Sequence, residues 1–325
     1  MRFDTHINCK SLPRYFIGSA KLAAMTDEKR RSAWFWVFLG GGLFVAFVAV
    51  VSLLGYFAVQ SMGGSSTFGD NIGVIDVDGV ILAADKTVDQ LRKFDQDDSI
   101  KAIILHIDSP GGGAAASQEI YEQVRRIRDE KKKPIIASIE SVGASGAYYI
   151  ASGANKIYAN DASIVGSIGV IMEWTNYGDL LKWAKLKPEV LKAGSLKDAG
   201  SPTRDMTPEE RAYFQGLVDN MHAQFIRDVA SGRGISTDTL QPLATGQVWT
   251  GEQALPLHLI DKQGGFRDAL LDTAKQVGIS GEPNVVKPAR KGRSILDLVT
   301  SDADDLLPNP ERLLEKHAGF YFLWK

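Results

Sequence analysis

The chain alternates short β-branched runs with longer stretches in which apolar side chains return every three or four positions. "IGVIDVDGVI" (72–81), "IKAIILHID" (100–108) and "PIIASIE" (134–140) are apolar runs of strand length. "AAASQEIYEQVRRIRDEKKK" (114–133) has helical spacing, and "NKIYAN" (155–160) and "SIVGSIGVIM" (163–172) return to strand character. The order predicts an α/β fold of ββα or βαβ units around a largely parallel sheet. "TPEERAYFQGLVDNMHAQFIRDVASGRG" opens with Thr207 and places Glu210 three residues on, which predicts a capped helix from Pro208 to Ser231 that stops near Gly232. "TGEQALPLHLIDKQGGFRDALLDTAKQVG" reads as a short helix, a strand and a closing helix.

One apolar run is of another kind. "WFWVFLGGGLFVAFVAVVSLLGYFAV", Trp34 to Val59, holds no ionisable residue except Tyr56. Its roughly 25 residues, at about 1.5 Å each, reach past the ~30 Å hydrocarbon core of a bilayer. Trp34, Trp36 and Tyr56 suit the two interfaces. A cleaved leader is the competing reading, but the run is too long and no clean A-x-A site follows it. Arg2, Lys10, Arg14, Lys21, Lys29, Arg30 and Arg31 precede the span, and the first basic residue after it is Lys86. The positive-inside rule therefore expects a cytoplasmic N-terminus, a single pass through the cell (inner) membrane, and an extracytoplasmic remainder. Whether translation starts at Met1 or Met25, Lys29, Arg30 and Arg31 carry the same orientation.

The expected organisation is a cytoplasmic tail (1–33), the transmembrane helix (34–59), a Gly/Ser linker (60–69), a main folded domain (70–281) and a C-terminal tail (282–325), partly disordered. In that tail "ERLLEKHAGFYFLWK" is read as an amphipathic segment that docks on a neighbour or a membrane surface. A net charge of −2 gives no reason to expect a nucleic-acid partner. The single cysteine, Cys9, excludes an intrachain disulfide and cysteine chemistry in the main domain. His6, His106, His222, His258 and His317 are scattered without metal-ligand spacing, so neither a metal centre nor a cofactor is expected.

Two glycine-rich turns carry the chemical signal. "ILHIDSPGGG" breaks a strand into three glycines before a helix, and such a turn aims backbone N–H groups at a phosphate or an oxyanion. It lacks the Lys-Ser/Thr ending of a P-loop and the spacing of a dinucleotide fingerprint. In "SVGASGAYYIASGA" Ser145 lies between Ala144 and Gly146, after a strand and at the start of a helix. It is either an N-cap or a nucleophile with an oxyanion donor at Gly146 beside it. A serine nucleophile needs a base. The candidates in "EVLKAGSLKDAGSPTRDMT" are Lys192 and Lys197; burial can lower a lysine's pKa by up to ~3–5 units. Both also read as surface lysines, with Lys197 paired to Asp198.

"DSPGGG", "GASGAYYIASGANKIYAN", "GSIGVIM", "LKAGSLKDAGSPTRDMT" and "TGQVWTGEQALPLHLIDKQGG" occur here in this order. Together, over about residues 70–275, they resemble the short-form signal peptide peptidase A family, membrane-anchored serine peptidases with a Ser/Lys dyad. The resemblance implies a ClpP/crotonase-like fold of repeated ββα units. It puts the nucleophile on Ser145, the general base on Lys197 and the lysine-orienting hydroxyl on Ser167. The oxyanion hole falls on the N–H groups of Gly112 and Gly146. Asp108 departs from the asparagine common at that place, which bears on the loop it positions. The implied partners are apolar peptide substrates such as signal peptide remnants, the lipid bilayer, and further copies of the chain in a ring-like homo-oligomer. Two other classes share parts of the pattern, a crotonase-type acyl-CoA enzyme and a non-catalytic membrane scaffold. Neither requires the Ser145/Lys197 pair.

The charge asymmetry fixes one outcome. A reporter that works only outside the cytoplasm, fused after residue 70, should be active. An inactive fusion there, with an active cytoplasmic reporter at the same site, reverses the orientation.

Overall fold

The computed structural model describes residues 38–56, 70–131, 133–288 and 319–324, divided between a unit within 1–67 and a unit spanning 68–325. The first contributes one helix, α1 (Phe38–Tyr56), with its apolar side chains exposed all round. Its 19 residues rise about 28 Å, close to a bilayer's hydrocarbon core. The basic flank from Arg2 to Arg31, Cys9, Trp34, Trp36 and the expected linker lie outside the described residues.

In the second unit the apolar runs form a sheet. β1 (Asn71–Asp78), β2 (Ile100–Ser109), β4 (Ile135–Ala144), β5 (Lys156–Ala159), β6 (Ile164–Gly166), β8 (Val248–Thr250), β9 (Lys262–Gln263) and β10 (Asn284–Val286) make eight strands. Six follow the order β10-β1-β2-β4-β5-β9, all parallel, while β6 extends from the end of β4 and pairs antiparallel with β8. The register Ile104–Ile136 and Leu105–Ala137 sets the central strands level. Successive side chains point to opposite faces, and both faces are covered. Leu105, Ile107, Ile135 and Ile139 belong to the large core, whereas Ile72, Val74, Ile104 and Ile136 pack against Ala269, Leu270 and Ala274 of α9 (Phe266–Gln276). Burial on both sides is why these strands lack polar alternation.

The large core is closed by α2 (Asp85–Gln96), α3 (Ala114–Arg126), α4 (Gly146–Ser152) and α6 (Pro208–Arg233), with α5 (Gly178–Trp183), α7 (Thr237–Leu240) and α8 (Gly251–Ala254) as short connectors. The capping box read from Thr207 and Glu210 is present in both directions. The expected stop near Gly232 is corrected: α6 runs to Arg233 and ends at Gly234, which takes the left-handed conformation at φ 64°. Gly232 serves contact instead, since a Cβ there would stand 3.0 Å from the Ser152 carbonyl carbon of α4. The single strand expected over 163–172 is two, β6 and β7 (Ile171–Glu173), separated by a turn at Ser167 with φ 54°.

Residues beyond 281, set apart in the sequence reading as a tail, contribute two strands. β10 adds to the edge of β1, with Lys287 Nζ 2.9 Å from the Asp76 carboxylate. β11 (Gly319–Leu323) lies in a second, three-stranded sheet of order β3-β11-β7, where β3 is Gly111–Gly113. The segment read as amphipathic is therefore extended over 319–323, in keeping with the strand propensity of "FYFLW".

Leu105 is fully buried at the centre of the sheet. Leu105→Ala should lower stability by about 2–5 kcal/mol, the cost of a core cavity, read as a fall in the thermal unfolding midpoint. An unchanged midpoint would mean that the two faces of β2 are not packed as described.

Candidate active site

The site is built where two chain reversals meet. β4 ends at Ala144 and α4 begins at Gly146, so Ser145 alone makes the strand-to-helix turn. It holds φ 54° and ψ −118°, a conformation that side-chain-bearing residues rarely adopt and that costs of order 1–3 kcal/mol. Its N–H donates to the Gly166 carbonyl (2.7 Å) and its carbonyl accepts from Tyr149 N–H (2.8 Å), which fixes the turn from both sides. The side chain makes no capping bond. The N-cap reading therefore fails: the residue is 1% exposed, and its hydroxyl has no hydrogen-bond partner among the described residues.

The second reversal is Ser109-Pro110-Gly111-Gly112-Gly113. Ser109 Oγ donates to the Gly79 carbonyl (2.6 Å) and accepts from Gly111 N–H (3.1 Å). On one edge of β3, Ile81 N–H donates to the Gly111 carbonyl (2.9 Å) and Gly113 N–H donates to the Ile81 carbonyl (2.8 Å). Successive residues of an extended chain turn their N–H and C=O to opposite edges. Gly112 N–H therefore faces away from Ile81, toward the edge where β11 (Phe322) pairs beside the serine turn. A Cβ on Gly112 would lie 2.6 Å from the Ile81 nitrogen, and one on Gly111 would lie 2.7 Å from the Gly146 nitrogen. One on Gly146 would overlap Ser117 Oγ and stand 3.2 Å from the Gly112 nitrogen. The turns touch through backbone, and no side chain fits at any of the three positions. Asp108 ties them further, its Oδ1 accepting Val142 N–H at 3.0 Å. That bond needs only an acceptor, so aspartate serves where asparagine is common.

Ser167 follows the β6 residue whose carbonyl receives Ser145 N–H, and is itself buried at φ 54° with its N–H on the Gln247 carbonyl (2.8 Å). Ser145, Ser167, Gly112 and Gly146 thus gather in one place. Lys197 does not join them. It is exposed in a run of turns, where its backbone N–H donates to the Gly194 carbonyl (3.2 Å), and its side chain makes no hydrogen bond or ion pair among the described residues. Its expected pairing with Asp198 is absent, because Asp198 is taken by Lys192 and by Arg204 Nη2 (3.0 Å). Arg204 in turn binds Glu210 in the first turn of α6, with Nη1 2.9 Å from Oε2. The histidines stand elsewhere: His106 lies between Asp76 and Glu140 (3.5 Å each) against Phe266, and His222 Nε2 meets the Ile168 carbonyl (3.2 Å).

Sequence reasoning missed one participant. β11 pairs with β3, and Phe322 is buried against Tyr149 (centroids 5.4 Å, edge-on) and Phe225 (4.6 Å). Tyr149 donates its hydroxyl to Asp228 and stacks on Tyr121 (4.7 Å). The five-residue aromatic run was the available signal, masked by the charged residues before it.

A parallel sheet that delivers a buried serine to a strained turn, facing a glycine edge, is the arrangement of a Clp-protease-like domain. The Clp protease family model matches residues 80–164, and the model of peptidase family S49 matches residues 127–280. A putative protease of Synechocystis is 37% identical over 209 residues, 64% of this chain and 75% of that protein. A putative protease of Methanocaldococcus jannaschii is 32% identical over 265 residues, 75% of this chain and 84% of that protein. A putative signal peptide peptidase SppA of Enterococcus faecium is 36% identical over 187 residues, 58% of this chain and 54% of that protein. The chain belongs to peptidase family S49 and is a peptidase of the SppA type.

The Asp198–Arg204–Glu210 chain anchors the Lys197 segment to α6 and titrates. Arg204 and the Thr207 N–H hold the Glu210 carboxyl down to about 2, against an ordinary 4.5. A lowered folded value stabilises above the unfolded pKa and is lost as pH falls toward the folded one. Glu210→Gln should therefore destabilise the protein above about pH 4.5, and its deficit should vanish as pH falls from there toward about 2. A deficit independent of pH would mean that the carboxylate charge plays no part in the anchor.

Proposed function

We propose that this peptidase is a membrane-anchored serine endopeptidase that cleaves apolar peptides, released signal peptides among them, outside the cytoplasm. The observation that carries the reading is the Ser145 turn: a hydroxyl without a hydrogen-bond partner among the described residues, at a strained strand–helix junction, beside glycine backbone that no side chain covers. Lys197 takes the Ser145 proton and Ser167 orients the lysine amine. Ser145 Oγ attacks the scissile carbonyl, and the N–H groups of Gly112 and Gly146 hold the oxyanion. The amine leaves with the proton from Lys197. Water then hydrolyses the acyl-enzyme and regenerates the serine. α1 tethers this chemistry near the bilayer that supplies the substrate.

The catalytic unit is a ring-like homo-oligomer in which a neighbouring copy supplies Lys197. Two features support this. Lys197 is exposed on turns whereas Ser145 is buried at a strand end, and the segment carrying Lys197 exposes Trp183, Leu186, Val190 and Leu191 by more than half. Monomeric soluble proteins rarely leave such a patch uncovered.

Ser145→Ala and Lys197→Ala should each lower kcat by about 10⁴-fold or more, with the double variant little worse, because the residues act as one unit. Mixing the two inactive single variants should restore a measurable fraction of activity, since some sites then receive an intact serine from one chain and an intact lysine from the next. Near-normal hydrolysis by Lys197→Ala removes the dyad. Inactive mixtures that still assemble remove the shared site.

A further inference from the structure

The stripe of α6 that enters the core, Phe225, Ile226, Val229 and Ala230, has a histidine at its next place toward the N-terminus. His222 stands three and four residues before Phe225 and Ile226, where helical spacing calls for another apolar side chain. Its ring is half-buried, and Nε2 lies 3.2 Å from the Ile168 carbonyl. A carbonyl only accepts, so the proton of that bond belongs to Nε2. Nε2 carries a proton both in this neutral tautomer and in the imidazolium. The bond therefore persists in either state, and Nε2 is not free to act as a base.

The carbonyl it holds belongs to the turn beside the nucleophile. Gly166 ends β6 and accepts Ser145 N–H, and the strand ladder fixes its place, level with Ala144 on one side and Val248 on the other. Ser167 lies just beyond the ladder with φ 54°, a backbone that a side-chain-bearing residue keeps only when its surroundings hold it. Ser167 N–H donates to the Gln247 carbonyl (2.8 Å), and Gly246 N–H donates to the Ile168 carbonyl (3.1 Å). Both of those bonds come from the loop that leads into β8 and hold the turn from one side. His222 adds a hold from α6, on the same Ile168 oxygen. Nearer its start, α6 also carries Glu210, which binds the Arg204 anchor of the Lys197 segment.

We propose that His222 is a positioning residue for the reaction: its Nε2–H braces the Gly166–Ile168 turn and so holds the Ser167 hydroxyl where the lysine amine arrives. This role rests on the reading in which Ser167 orients that amine. The ring itself takes no proton from Ser145. Because Gly166 is held by strand pairing, losing the brace displaces Ser167 and leaves the serine turn in place.

The test measures hydrolysis of an apolar peptide by the full chain in detergent. His222→Leu should lower kcat about five-fold, within what one net hydrogen bond carries, with KM within about two-fold of the parent. His222→Gln, whose side-chain amide can donate near the place of Nε2 but cannot serve as a base, should recover kcat to within about two-fold of the parent. In a Ser167→Ala background, His222→Leu should cost less than about two-fold more, because the group it positions is gone. Thermal unfolding midpoints are read alongside. Where the leucine variant unfolds early, His222→Asn, too short to reach Ile168, serves as the non-donating change. A parent-like kcat in a folded non-donating variant overturns the proposal. So does a glutamine variant as slow as the leucine one, or an undiminished cost in the Ser167→Ala background. Ser167→Ala at parent kcat would remove Ser167 from the reaction, and the reading beneath the proposal with it. An impaired Ser167→Ala beside unimpaired His222 variants would remove His222 alone.

Discussion

The contact of Gly111 and Gly112 with the Ser145–Gly146 turn is the constraint on which the site depends. Backbone meets backbone there, at distances where a Cβ on any of the three glycines would clash with a main-chain or hydroxyl atom. That contact fixes where Gly112 N–H points, and Ile81 on the far edge of β3 fixes which glycine of the three points inward. The sheet exists, in functional terms, to bring β2 and β4 side by side so that their ends deliver the two turns to one point. Asp108 locks the ends together through Val142, and the shared carbonyl of Gly166 locks the serine turn to β6. The strain at Ser145 is affordable because a core buried on both sheet faces surrounds it.

The two sides of the site differ in kind. Ser145, Gly112, Gly146 and Ser167 are carried by buried strand ends and turns. Lys197 is carried by exposed turns, and the anchor of those turns, Asp198–Arg204–Glu210, reaches only the first turn of α6. Under the shared-site proposal, a neighbouring chain meets these exposed turns without disturbing the core.

Much of this was legible in the sequence. β-branched runs such as "AIILHI", alternating with helical stretches, gave the largely parallel sheet, and Thr207 with Glu210 gave the start of α6, because local patterns determine those features. The turns at Ser145 and Gly111–Gly113 were legible as small-residue stretches, though not as touching, since contact is a property of the folded sheet. Gly232 was misread as a helix stop because a glycine at a helix end and a glycine at a helix crossing look alike in sequence. β11 was not legible. Its partners β3 and β7 lie some two hundred and one hundred and fifty residues earlier, and only a tertiary slot explains why five residues with strong strand propensity stay extended there.

The seat of Phe322 shows where β11 gets its hold. Ladder bonds to Gly112 and to β7 each contribute only about 0.5–1.5 kcal/mol net, and any extended segment makes them. A fully buried phenylalanine side chain gains about 1.5–3 kcal/mol over one left in water, so the ring packed against Tyr149 and Phe225 outweighs any single ladder bond. The hydroxyl of Tyr149 is committed to Asp228 and its ring stacks on Tyr121, so the wall that meets Phe322 is held in place and presents carbon rather than a free polar group. A charged residue at 322 would lose its water there, at a cost larger than the ladder can return.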